Sequence, residues 1–483
     1  GVQTCALPIS DFCAALTSYD GGMTVEQLLN DGWQFCKLPL GSTLEDVSNA
    51  ALQAVDLPHD FLIENENDLY ETTDAWYLRT LDVPESWCAS CVLVRFDGVY
   101  MDCDVLLNGH VVCTHHYGYT AFDVDLTSRL LVGRNTLAVH IRHQSPNSRW
   151  YSGAGIYRDV TLHVLPKRHI PLDGVYVTTT HELESWTMTI DTELCGVKDN
   201  GVLTHVLLDG DVPVCDVTVE AAGDHANAVM QVLSPKLWSP DSPNIYTLQT
   251  MLGNQVIRQN VGFRDLTFTT DRGLLVNGAP VKLHGVCLHH DLGCLGSAFH
   301  EKAMRRQLRA MRQMGVNALR TSHNPPAKQV MDLCDELGIF VVDEAFDMWL
   351  RAKTPFDYAR FFPTDMPSDV AAWVRRDRNH PSLLMWSIGN EILDTHLDES
   401  AQQVTCDLCE NVRLHDPCGN AVITIGSNFM PWEGARKCAD LVDAQGYNYG
   451  EKYYEAHHAE HPDWVIYGRS EERRVGKECR SRW

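Results

Sequence analysis

The chain has 483 residues, 44% hydrophobic and 21% charged, the composition of a globular protein long enough for about three domains of 100–200 residues. Its net charge of −25 excludes DNA, RNA and anionic membranes as partners, because neutralising phosphates takes clustered Lys and Arg. With no long apolar run to span a bilayer and no basic, apolar leader in "GVQTCALPIS", a cytoplasmic location is expected. The 17 cysteines are dispersed, and those inside apolar runs (Cys103, Cys113, Cys287, Cys334) read as small buried hydrophobes of a reducing compartment. Two C-x-x-C pairs occur, Cys88/Cys91 and Cys406/Cys409; the second lies in an amphipathic helical pattern, so a zinc site is not expected.

From about residue 24 to 165 short alternating runs are split by turn residues. In "YMDCDVLLNGHVV" the Asn108-Gly109 pair between two apolar runs predicts a hairpin. Many such strands predict an antiparallel β-sandwich. A second all-β stretch, about 170 to 268, has the size of an immunoglobulin-like sandwich. Around residue 269 the grammar changes to strands alternating with helices: "VKLHGVCLHH", "VNALRTSH", "IFVVDEAF", "LLMWSIGNE", "AVITIGS" and "WVIYG" read as strands, with helices between them. Repeated βα units of this kind predict a (β/α)₈ barrel, in which the polar residues that end each strand carry the chemistry. Those ends are His289-His290-Asp291, Ser322-His323-Asn324, Asp343-Glu344, Asn390-Glu391 and Asn448-Tyr449.

A carboxylic acid on that rim, Glu391, ringed by His, Asn, Tyr and Trp, suits glycoside cleavage, which needs a proton donor for the leaving oxygen and neutral donors for sugar hydroxyls. No phosphate loop, dinucleotide fingerprint or nucleophile elbow competes with it. His289, His290 and His323 supply the ligand types of a hydrolytic zinc site; the competing reading is that they hydrogen-bond to sugar or to one another.

"SRWYSGAGIYRDV" (148–160), "LWSPDSPNIYTL" (237–248), "RTSHNPP" (320–326), "VVDEAFDMW" (341–349) and "VRRDRNHPSLLMWSIGNE" (374–391) resemble glycoside hydrolase family 2, the family of β-galactosidases, β-glucuronidases and β-mannosidases. The resemblance covers nearly the whole chain and implies three domains: a sugar-binding-type jelly-roll β-sandwich at 11–166, an immunoglobulin-like sandwich at 167–268 and a catalytic TIM barrel at 269–468. It implies that Glu391 is the general acid/base and Asn390 the ligand of the sugar 2-hydroxyl. His323 and Tyr449 match active-site residues, Asp347 and Trp349 a loop lining the sugar pocket, and Arg149 and Trp150 an N-domain loop that approaches it. Glu344 and Arg320 read as residues that orient the acid from behind. The resemblance alone admits Mg²⁺ or Na⁺, but no matching acidic or His spacing precedes Glu391, so no cofactor is expected.

A retaining enzyme needs a second carboxylate about 5–5.5 Å from the acid. The family's motif resembles V-I-x-G-S-E-T at the end of the seventh strand. Here "VIYG" is followed by Arg469, Ser470 and Glu471, so Glu471 stands one residue late, and a one-residue slip turns a side chain to the other face. The run 469–483, with six Lys or Arg and three Glu, resembles a translated sequencing adapter, as do residues 1–10. The expectation is therefore a barrel that stops before strand seven is complete, its nucleophile absent. The implied function is a fragment of a retaining exo-β-glycosidase, a β-galactosidase first and a β-glucuronidase second, acting on an oligosaccharide or glycoconjugate, with a homo-oligomer open to the full-length parent. A different class, a non-catalytic carbohydrate-binding protein, predicts sugar binding that survives Glu391→Gln and loss of the barrel.

Overall fold

The computed structural model describes residues 24–65, 67–198 and 201–470. The stretch 1–10 and residues 471–483, Glu471 among them, lie outside the described residues. The first domain is a sandwich of a four-stranded and a six-stranded sheet. Its long central strands, Thr73–Val83 and Gly133–His143, pair antiparallel along their whole length. Their inward residues join Val94, Phe96, Val105 and Leu162 in one buried core. The predicted hairpin joins Cys103–Leu107 to His110–His115, and both Asn108 and Gly109 take positive φ (51° and 83°), the turn whose twist suits two antiparallel strands.

The second domain packs a three-stranded sheet on a four-stranded one. His225–Leu233 alternates strictly between exposed and buried, placing Ala226, Ala228, Met230 and Val232 in a core with Met188, Leu203 and Leu248. That period of two is the signature of a sheet with one wet face.

The third domain is a parallel barrel wall of seven strands in sequential order: Gly285–Leu288, Ala318–Thr321, Phe340–Glu344, Leu383–Asn390, Val422–Ser427, Ala444–Asn448 and Ile466–Ser470. Helices Glu301–Gln313, Lys328–Leu337, Phe362–Asp377, Ala401–His415, Glu433–Ala439 and Tyr454–Glu460 alternate with them. Among the described residues the barrel wall is not closed: the first and seventh strands each pair on one side only. The seventh strand runs two residues past Gly468, so Arg469 and Ser470 belong to it.

A buried ion pair ties the wall to its neighbours. Asp335, on the helix Lys328–Leu337, bonds His380 Nδ1 at 2.6 Å and Ser382 N at 2.9 Å, and its carbonyl accepts the indole N–H of Trp238 from the second domain at 3.0 Å. Burial opposes a charge on His380, but Asp335 overrules it and holds the imidazolium up to about 9. This folded value lies above the unfolded one near ~6.5, so the pair's stabilisation is complete below the unfolded value and is lost as pH rises towards 9. Urea unfolding of the unaltered chain should therefore weaken by about 3 kcal/mol between those limits relative to His380→Gln, which lacks the pair; parallel curves would refute the assignment.

Candidate active site

The C-terminal ends of the barrel strands converge on Asn390 and Glu391. Asn390 is buried, and its amide donates to Asp347 Oδ1 at 2.8 Å while its oxygen accepts from Asn448 Nδ2 at 2.9 Å. Glu391, just past the strand, takes a positive φ of 48°, and its backbone N–H is pinned to Gly426 O at 2.7 Å. That turn swings the carboxylate out of the sheet, partly exposed, where Asn448 Nδ2 (3.1 Å) and Arg149 Nη1 (3.5 Å) reach its oxygens. A carboxyl in this setting can hand a proton to a bound group on the open side.

Asp347 is the hub beside it, 1% exposed. Arg149, from the first domain, grips it through two bonds of 2.8 and 2.6 Å, and Lys353 Nζ adds a third at 2.9 Å. Burial alone would raise the Asp347 carboxyl; Arg149's hydrogen bonds and the charge of Lys353 outweigh it and hold the group below the usual carboxylate range. Lys353 also donates to the Asn390 carbonyl at 2.9 Å, the peptide that leads into Glu391. In an Arg149→Ala chain, Lys353 still covers Asp347, so the fold should persist while stability falls by about 1.5–3 kcal/mol, the loss of hydrogen bonds to a charged group; urea unfolding identical to that of the unaltered chain would count against the Arg149–Asp347 pairing.

Behind these residues Arg320 spreads over five neighbours, Cys287 among them. Nη1 reaches Glu344 (3.0 Å), His323 (3.3 Å) and Asn390 (3.3 Å); Nη2 reaches Ser470 Oγ at 2.8 Å. Glu344 is fully buried and also holds His323 Nδ1 at 2.6 Å and Ser387 Oγ at 2.7 Å. Burial drives the His323 ring down to about 3, so at neutral pH it is uncharged. Asp343 lies on the other side of the same strand, among Asp377, Arg376 and Trp373, and burial followed by Asp377's charge raises it. Strand alternation thus separates the two neighbours.

The remaining expected residues fall differently. Trp150 stacks on His289 (5.3 Å between ring centres) and meets His323 edge-on (5.4 Å), and with His323 and Asp347 it borders a small recess between the first domain and the barrel. Trp349 does not line that recess: it is fully buried, donates its indole N–H to Ile388 O at 3.0 Å and braces the strand that carries Asn390 from behind. Its size and apolarity placed it under the rim instead of on it. Tyr449 stands 54% exposed, its N–H on the Ser470 carbonyl at 2.8 Å. The nitrogens of the three rim histidines do not meet at a common point: His290 Nε2 lies on Ser152 O at 3.0 Å and His323 Nδ1 on Glu344. Cys287, read as a buried hydrophobe, is exposed, and its sulfur takes two Arg320 N–H bonds of 3.3 and 3.1 Å. The residue is exposed but its sulfur packs against Arg320: loss of water around the sulfur raises the thiol and Arg320 outweighs it, leaving it below the ordinary thiol value. Lys353 was not singled out by sequence, although its place six residues after Asp347 on a rim loop marked it.

Arg469 enters the barrel interior, where its guanidinium meets Glu344 and approaches Gly389 O at 3.5 Å. It fills the space left by two glycines: a Cβ on Gly426 or Gly446 would collide with it. Its Nε lacks a hydrogen-bond partner, and burial followed by repulsion from Arg320 pulls its charge well below the usual guanidinium range.

Three family models match in the order of the domains: the glycosyl hydrolases family 2 sugar binding domain over residues 23–166, the family 2 middle domain over 169–264 and the family 2 TIM barrel domain over 268–460. The chain belongs to glycoside hydrolase family 2. This family 2 chain is 37% identical over 390 residues to the beta-galactosidase BoGH2A of Bacteroides ovatus, an alignment covering 74% of the chain and 45% of that protein. It is 32% identical over 400 residues to a putative beta-glucuronidase of Formosa agariphila, covering 79% of the chain and 38% of that protein. The family 2 chain thus spans less than half the length of either relative. A family 2 crystal structure from Bacteroides cellulosilyticus superposes with a TM-score of 0.84 at 31% identity, covering 92% of this chain and 61% of that one.

Proposed function

We propose that this chain carries the sugar-binding and proton-donating part of a retaining exo-β-galactosidase. The observation that carries the reading is the Asn390–Glu391 strand end, with Asp347 and Asn448 on one side and an Arg320 guanidinium joining Asn390 to position 470 on the other. Glu391 protonates the glycosidic oxygen as the bond to the anomeric carbon breaks, and a carboxylate at 470 attacks that carbon to give a glycosyl ester. Glu391 then takes the proton of the water that hydrolyses the ester. In this chain Ser470 holds that place, and its hydroxyl faces a guanidinium, not a base, so no group beside it raises its nucleophilicity. Binding without turnover is the expected behaviour of the chain as it stands.

A neutral sugar is favoured over a uronate because Arg149 and Lys353 are already paired within the site, Arg149 with Asp347 and Glu391 and Lys353 with Asp347. The named activity of the Bacteroides ovatus relative supports the same choice. The test is a panel: nitrophenyl β-galactoside, β-glucuronide and β-mannoside assayed for release, with titration calorimetry of the corresponding free sugars. Galactose binding with no release is expected. Preference for glucuronate would move the assignment to β-glucuronidase, and release by the unaltered chain would show a nucleophile elsewhere.

A further inference from the structure

We propose that Lys353 is a positioning residue for the proton donor: its ammonium fixes the peptide that joins Asn390 to Glu391 and so sets where the acid points. The inference rests on the reading of Glu391 proposed above and adds to it a residue which that reading does not use.

The fourth barrel strand, Leu383–Asn390, loses its regular partners just where the acid follows. Its pairing with the third strand stops at Ser387, and its register with the fifth slips between Ser387 and Asn390. The chain then turns at Glu391 through a positive φ of 48°, a left-handed conformation that a residue with a side chain keeps only where its surroundings impose it. Those surroundings hold one peptide unit from both ends. On the amide side the Glu391 N–H meets Gly426 O at 2.7 Å, a bond between strands. On the carbonyl side the donor to Asn390 O is a side chain, Lys353 Nζ at 2.9 Å. A lysine thus takes the place of a ladder bond.

The same ammonium reaches Asn390 by a second route. It bonds Asp347 Oδ1 at 2.9 Å, the oxygen that also receives the Asn390 amide at 2.8 Å and Arg149 Nη2 at 2.6 Å. Lys353, Asp347 and Asn390 therefore close a ring of hydrogen bonds that fixes both the main chain and the side chain of Asn390. Charge balance alone does not ask for this, because Arg149 already gives Asp347 two charge-assisted bonds. The lysine side chain is only 7% exposed, and a buried ammonium gives up hydration that a surface partner would have spared it. Burial pulls it below the usual lysine range; Asp347 opposes that pull and Arg149 adds to it. The loop is built to hold the side chain there. Buried Asp357 takes the N–H groups of Lys353 (2.7 Å) and Thr354 (2.8 Å) on one oxygen and that of Ala359 (3.1 Å) on the other. The Phe356 N–H is fastened to Pro146 O of the first domain at 3.1 Å, three residues before Arg149.

The first test uses the chain as it stands. Lys353→Met keeps the length and loses the donors, and Arg149 still pairs Asp347, so the fold should persist. Hydrogen exchange of the Glu391 amide, read by mass spectrometry with electron-transfer fragmentation, should quicken at least about tenfold while the amides earlier in the strand stay as slow as before. Lys353→Arg, which keeps the charge and the donors, should recover most of the protection. Glu391 exchange equal to that of the unaltered chain overturns the tie; acceleration along the whole strand makes Lys353 a prop of the fold and overturns it as well. The second test uses a chain given a carboxylate at position 470 by Arg469→Ser and Ser470→Glu. There Lys353→Met should lower kcat on a phenyl β-galactoside by about 10²-fold, the cost of a misplaced group, with KM little changed. A dinitrophenyl β-galactoside, which needs no proton from Glu391, should be spared. A raised KM with kcat unchanged assigns Lys353 to sugar binding, and equal losses on both substrates assign it to the fold; either result overturns the positioning role. If the doubly exchanged chain releases no sugar, the reading of the reaction falls, and the exchange measurement alone decides Lys353.

Discussion

The double exchange Arg469→Ser and Ser470→Glu is expected to give a chain that forms a covalent glycosyl-enzyme. The first change relieves a buried guanidinium that now sits beside a second one, Arg320, with its Nε unpartnered. The exchange also removes the Arg469 contact with Glu344, which Arg320 still holds at 3.0 Å. The second change places a carboxylate where Ser470 now takes the Arg320 Nη2 at 2.8 Å, within one guanidinium of Asn390. Incubation with an activated 2-deoxy-2-fluoro-β-galactoside should then add one sugar per chain by intact-protein mass spectrometry, and peptide mapping should find the label on the carboxylate introduced at position 470. The unaltered chain should add none. A label on another carboxylate, or labelling of the unaltered chain, would refute the placement.

Glu391→Gln, made on top of that exchange, is expected to slow release from a β-galactoside with a poor leaving group by about 10²–10⁴-fold, the range that general acid catalysis supplies. A dinitrophenyl glycoside, whose departing oxygen needs no proton, should still form the ester at nearly the same rate, so the intermediate accumulates. Equal losses on both substrates would mean that Glu391 positions the sugar and donates no proton. The amide oxygen can still accept from one of the two donors that reach Glu391, Asn448 Nδ2 or Arg149 Nη1, and the contrast between the two leaving groups separates the proton from the lost contact.

The three-domain order, the barrel and the convergence of Asn390, His323 and Glu344 were legible because each rests on a local pattern: alternation for the sandwiches, βα repetition for the barrel, and polar strand ends for the rim. What was not legible depends on depth. Trp349 and Trp150 come from motifs of equal weight in the sequence, yet one lies beneath the strand end and the other faces the recess, a difference set by tertiary packing. Lys353 escaped notice because a lysine on a loop is usually a solvated charge; here it is drawn in by Asp347 and the Asn390 carbonyl. Cys287 looked apolar from its neighbours in the chain, but its partner Arg320 arrives from the next strand.

Arg149 and Asp347 are 198 residues apart in the chain. The first domain therefore emerges from the ribosome before several of its partners, Asp347 for Arg149 and the Pro325 carbonyl for Arg158 among them, and these are delivered only after the whole second domain and the first barrel strands have been made. Contacts of such sequence separation form late and slowly. Until this one closes, Asp347 keeps only Lys353 and Asn390, and the carboxylate at the centre of the site stands half covered. Closure of the site around Asp347 thus waits on the docking of the first domain against the barrel, and an early folding intermediate, however native its sandwiches, leaves that carboxylate without its Arg149 partner.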